Sequence, residues 1–206
     1  MSRIHCIALA IAAIAAAMMT PTDLSAQQPQ PTRVRGTIEN VGGNVLLVKS
    51  REGTDVRLLA GEKTGVIGLK KIGLADIEPN AFVGVAALPQ ADGSQRAISI
   101  HIFPEASRGF NEGSRPYDVR PNSSMTNGAV ASRVNGTEGD VLTINYKDGE
   151  KKIVVTPETS IVRFEPGELS ELRSGAKIVA TVTERADGVR EIVRVNVGRD
   201  GITPAM

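Results

Sequence analysis

The side chains best able to do chemistry cluster between two aliphatic regions, in the run PEASRGFNEGSRPYDVRPNSSMTN from Pro104 to Asn127. It gathers Arg108, Arg115 and Arg120 with Glu105, Glu112 and Asp118, and with the aromatics Phe110 and Tyr117. Guanidinium groups fork onto carboxylates or phosphates, and an isolated aromatic can anchor a partner. These eight residues are therefore the candidate ligand- or partner-binding set. The same mixed charge can also satisfy itself, with the three arginines pairing with the three acids and proline stiffening the chain. Scaffold and recognition element are both open readings of this segment. At 24 residues it exceeds what joining two small domains requires, and long irregular segments are usually functional or disordered.

Other chemistries have thinner support. His101 is the only histidine after residue 26, and with Glu105 it forms the alternative metal-ligand pair. A transition-metal site normally takes several nitrogen or sulfur donors, so a surface histidine bonded to the following loop is the plainer reading. A Ser-His-Asp relay would have to use His101, and no Gly-x-Ser-x-Gly elbow exists. Glu168 and Glu171 are paired carboxylates three apart, but on a short solvated turn such a pair is ordinary surface charge. Gly42-Gly43 reads as a hairpin turn, not a phosphate loop. The chain is thus expected to be non-catalytic and without cofactor. An enzyme acting on envelope material is the weakest alternative, behind a metal-handling protein.

The elements that would position these residues begin after an N-terminal segment of different character. Arg3 precedes the uncharged run Cys6 to Met19, which Thr20-Pro21-Thr22 breaks, and Leu24-Ser25-Ala26 offers a cleavage site. A short apolar core with those flanks reads as a secretory signal peptide over 1–26; an uncleaved anchor is the other possibility. The sole cysteine, Cys6, lies within it. The mature chain is expected to be periplasmic or secreted and not integral to the membrane, since no later stretch is long and apolar enough to span a bilayer. Net charge is +1, and aromatics are 3% of the chain with no tryptophan. Neither the field nor the stacking surfaces of a nucleic-acid binder are present.

A polar lead-in, 27–31, is expected to be disordered. Beyond it the sequence repeats. Thr64, Leu74, Ala81 and Ala91-Asp92-Gly93 recur as Thr159, Leu169, Ala176 and Ala186-Asp187-Gly188, an offset of 188 − 93 = 95. Val45-Leu46 matches Val141-Leu142 at 96, so one residue is missing near the second hairpin. Each copy reads as five strands with period-two alternation. They are 32–39, 45–50, 55–59, 81–87 and 94–102, then 129–135, 141–146, 151–155, 177–182 and 189–197. In the last strands Ile98, Ile100 and Ile102, and likewise Val193, Val195 and Val197, are placed on one face, with His101 opposite. Leu74–Ile77 and Leu169–Leu172 space apolar residues three apart, as a helical turn does.

Three strands, a helical turn and two more strands is the order of an OB-like barrel. The expected fold is all-β: two tandem five-stranded OB-like barrels, 32–103 and 129–198, each with a short helical turn between its third and fourth strands. A Pro/Gly/Arg-rich linking loop, 104–128, joins them, and 199–206 is a C-terminal tail. A single ten-stranded sandwich is the alternative. Modules of this size are marginal alone, so the copies should pack together or the chain should form a homodimer.

Several blocks resemble one group of exported bacterial proteins. They are Arg33-Val34-Arg35-Gly36-Thr37-Ile38-Glu39, His101-Ile102-Phe103-Pro104-Glu105 with Arg108-Gly109, and Glu112-Gly113 with Arg115-Pro116-Tyr117-Asp118. Ser124-Met125-Thr126-Asn127, Tyr146-Lys147-Asp148-Gly149-Glu150-Lys151-Lys152 and Gly198-Arg199-Asp200-Gly201 continue the likeness. The group is built on domain of unknown function 5666, in a two-copy form often labelled "metal ABC transporter permease". The resemblance implies a small β-barrel module in an exported protein with no established activity. The permease label would require several spanning helices, which this chain does not offer. An envelope protein, polymer or small ligand is the expected partner, and nucleic acid is not.

Overall fold

The computed structural model describes residues 31–137 and 139–205. The expected signal peptide, and all of the lead-in except Pro31, lie outside the described residues. What is described is all-β, with helical character limited to three-residue 3-10 turns at Leu74–Asp76, Glu105–Ser107 and Leu169–Glu171. No helix among the described residues is long and apolar enough to cross a membrane.

Strands β1 (Thr32–Gly42), β2 (Val45–Ser50) and β3 (Asp55–Leu59) form an antiparallel meander. Gly43 turns the first hairpin at φ +62°, where a residue without Cβ carries no penalty. Next come β4 (Gly65–Lys71), β5 (Phe82–Pro89), β6 (Gln95–Ile102) and the short β7 (Gly113–Pro116). A second meander follows, β8 (Ser124–Gly136), β9 (Gly139–Tyr146) and β10 (Gly149–Val155). The chain ends with β11 (Ser160–Pro166), β12 (Lys177–Glu184) and β13 (Arg190–Gly198). Strands β4, β7 and β11 fall in stretches that the sequence reading left without strands.

The two halves do not close on themselves. The β1–β3 meander is completed by β12 and β13: β12 pairs with β1, β13 with β12, and β13 reaches β3 at Glu191 opposite Leu59. The β8–β10 meander is completed by β5 and β6, with closure through Ile153 opposite Gln95 and Val154 opposite Arg96. Each ring of five strands therefore takes three strands from one half and two from the other. This corrects the expectation of separate barrels over 32–103 and 129–198. The reason is that period-two alternation fixes which face a strand buries but not which chain segment pairs with it. Equivalent hairpins present equivalent edges, so exchange conserves the ladders.

Exchange also creates a seam. Strands β4 and β11 pair antiparallel with Leu69 opposite Phe164, while β4 lies beside β13 and β11 beside β6, both parallel. Each ring has its own core. Ile38, Leu46, Val48, Leu58, Ile178 and Val195 fill the first, and Val83, Val85, Ile100, Leu142, Ile144 and Ile153 the second. A third cluster of Leu69, Phe82, Phe103, Val162 and Phe164 lies on the seam.

β-Bulges alter the inward set. Val182 faces Ile192 but Thr181 faces Arg194, which leaves Val193 unpaired and about half exposed; Ala87 faces Ala97 but Ala86 faces Ser99, which sets Ile98 aside. Ala97 and Ile192, not Ile98 and Val193, therefore enter the cores. A buried threonine from the opposite half fixes each bulge. Thr64 Oγ1 donates to the Ile192 carbonyl at 3.0 Å and Thr159 Oγ1 to that of Ala97 at 3.1 Å. The recurrence of this threonine at 64 and 159 thus has a mechanical cause.

The tail is bound, not free. Arg199 donates to Glu171 from Nε and Nη2, both at 2.9 Å, to Glu165 at 2.6 Å and to the Pro166 carbonyl at 2.9 Å. Glu171 also accepts the Glu168 amide at 3.0 Å, so the paired carboxylates serve a turn and a clamp. Gly68 leaves room for this clamp, because a Cβ there would lie 2.3 Å from the guanidinium carbon. Arg199→Ala should cost about 1–2 kcal/mol, the range for partly exposed charge-assisted bonds. Gly68→Ala should displace the same guanidinium. Urea melts of both single variants and the double should show the pair well below additive; full additivity would mean the two act separately.

Candidate functional site

The outward face of the first ring is where the site begins. In β1, β12 and β13, Arg33 stands opposite Thr181 and Thr181 opposite Arg194, while Arg35 stands opposite Val179 and Val179 opposite Asn196. Alternation places Val34, Ile38, Ala180 and Val195 inward, so these polar residues must point out. The second ring presents Met125 opposite Ala86 and Asn127 opposite Gly84, with His101 also opposite Gly84. Residues from both faces border a cavity of about 60 Å³ together with Phe103 and Phe164.

Segment 104–127 covers this cavity and is itself ordered. Strand β7 pairs with β8 from Gly113 opposite Asn127 to Pro116 opposite Ser124. Arg108 grips Glu105, donates to the Asn80 carbonyl at 2.9 Å and stacks over Phe82 at 5.9 Å. Its hydrogen bonds hold the Glu105 carboxyl below the usual range. Asn127 Nδ2 donates to the Phe110 carbonyl at 3.0 Å, and Ser123 Oγ contacts the Tyr117 and Arg120 carbonyls at 2.8 and 2.7 Å. Much of the segment is therefore scaffold.

Its acids and bases do not pair as three internal couples. Only Arg108 with Glu105 does so. Asp118 is taken by Arg35, which donates at 2.9 and 2.7 Å, with Arg33 at 3.6 Å. The hydrogen bonds from Arg35 hold the Asp118 carboxyl below its ordinary range. Arg115 donates to the Asn111 carbonyl at 2.9 Å and joins no ion pair among the described residues. Glu112 and Arg120 lie outside the cavity lining.

Phe110, Arg115 and Tyr117 do reach the cavity, where they meet Arg33 and Arg194. The guanidinium of Arg33 lies 5.2 Å from the Tyr117 ring centre, and that of Arg194 lies 5.6 Å from Phe110. Sequence reading missed Arg33, Arg35, Arg194, Asn127 and Asn196 as site residues. The available signal was the two-residue spacing of Arg33/Arg35 and Arg194/Asn196, polar positions on an outward strand face.

His101 lies elsewhere. It is on the outward face of β6, as alternation requires, but it is 1% exposed and its ring packs 5.4 Å from Phe164. The expected surface histidine is thus corrected: the seam covers that face. Glu105 is exposed and engaged by Arg108. Among the described residues no group of three or more His, Cys, Asp or Glu side chains could hold a metal ion.

Three guanidinium groups (Arg33, Arg115 and Arg194) line the cavity, and beside it Arg35 holds the carboxylate of Asp118, 3.6 Å from Arg33. Its lining has no carboxylate, histidine or cysteine to move a proton or form a covalent intermediate. Such an arrangement can hold negative charge. No family model, characterised protein or solved structure was found to match the chain.

Proposed function

We propose that this chain is a non-catalytic binding protein of the bacterial envelope, exported by its first 26 residues. It is built from two duplicated OB-like rings that exchange strands. Three meander strands and a returning hairpin per ring support the OB-like reading, although such a fold assigns no ligand by itself. The observation that carries the proposal is the convergence of Phe110, Arg115 and Tyr117 with Arg33 and Arg194 over one cavity bordered by both rings. Residues 104–127 thus act as scaffold through Arg108 and Glu105, and as recognition element through Arg115 and Tyr117.

The test is native mass spectrometry of the full chain after exposure to an envelope extract. A retained species should appear on the wild type and be lost from the double variant Arg33→Met, Arg115→Met. The melting temperature should move by only a few degrees, as for substitutions outside a core. Equal retention by the variant, or no retained species, would overturn the proposal.

A further inference from the structure

We propose that the seam cavity takes a phosphate-like oxyanion, either free phosphate or a phosphate ester. This rests on the binding reading above and gives it a ligand class.

Two features converge on that class. The first is uncompensated charge. Asp118 is engaged by Arg35, leaving Arg115 and Arg194 without a carboxylate among the described residues. Burial first, and then the neighbouring Arg33, push both guanidinium groups down from their ordinary value. A guanidinium does not shed its proton to relieve such crowding, so an anion is the available remedy. The second is preorganisation. Stacking of Arg194 on Phe110 and of Arg33 on Tyr117 holds each planar group by its face. The N–H edge of Arg194, which joins no ion pair among the described residues, stays free to fork onto an oxyanion.

Size agrees. About 60 Å³ admits a head group but falls well below the roughly 300–1,000 Å³ of a pocket for a whole drug-sized molecule. The rest of an ester would leave past Phe110, which is 43% exposed.

Isothermal titration of the full chain in low chloride, with inorganic phosphate and glycerol phosphate, tests this. At least one of the two should bind one to one. The stronger of the two phosphate probes identifies the source. Arg194→Met keeps a stem on Phe110 and should weaken binding by about tenfold or more; Arg115→Met gives an independent second reading. Failure of both phosphate probes, or unchanged binding by both arginine variants, would overturn the assignment. If a species retained in native mass spectrometry still depends on Arg33 and Arg115, the ligand class alone has failed; if none is retained, the binding reading has failed too.

Discussion

Residues 27–103 produced alone should give no folded monomer. In the whole chain the ring built on β1–β3 takes Ile178, Val182, Ile192, Val195 and Val197 into its core from the second half. Fully burying such a side chain contributes roughly 1.5–3 kcal/mol. Losing five of them removes roughly 7.5–15 kcal/mol, as much as the whole 5–15 kcal/mol stability of a typical domain. The severed half also strands its ladders: β1 loses β12, β5 loses β8, and both closures vanish. Two routes remain for it. It stays unfolded, or two copies exchange strands with each other as the natural halves do, because swapping restores every pairing at the cost of association. Light scattering with circular dichroism across a concentration series would separate these, and mixing 27–103 with 104–206 should recover the native spectrum. A monomeric 27–103 with a cooperative melt would refute the exchange.

How much of this was readable beforehand depends on what each residue's constraint is. Inward alternation in Ile100 and Ile102 or Leu142 and Ile144 reflects a local period, and the structure places these residues in the cores. The helical turns at Leu74 and Leu169 were likewise visible, because three-residue spacing is local. Pairing partners were not. Val66, Ile67 and Leu69 are an unremarkable aliphatic stretch until β11 lies beside them, and nothing within β4 announces that neighbour. The bulges at Ile98 and Val193 depend on Thr159 and Thr64 from the opposite half, so alternation alone misassigned those two side chains. The site was legible in part for the same reason. Phe110, Arg115 and Tyr117 stood out in a polar segment, whereas Arg33 and Arg194 acquire meaning only when β1, β12 and β13 align.

Acid should destabilise this protein earlier than its carboxylates alone would. Burial against Phe164 pushes the His101 imidazole down to about 4, and a hydrogen bond with the Gly84 backbone opposes that only weakly. Its Nδ1 has no partner, so nothing nearby welcomes a proton. The folded value lies below the unfolded value of 6.5, and between the two the unfolded chain binds more protons. Stability therefore falls as pH drops from near 6.5 toward 4. The expected loss is about 2 kcal/mol between neutrality and pH 5, approaching about 3 kcal/mol near pH 4. Carboxyls held low by arginines, Asp118 and Glu171 among them, lose their contribution only as pH falls below the ordinary carboxylate range. Urea melts at neutral pH and at pH 5 thus isolate the histidine. His101→Asn, which installs the residue found 95 positions later at Asn196, should lose most of that pH dependence. An equal slope in the variant would mean that the imidazole reaches water in the native state, and that the β4–β11 seam does not cover the outward face of β6 tightly enough to keep a charge out.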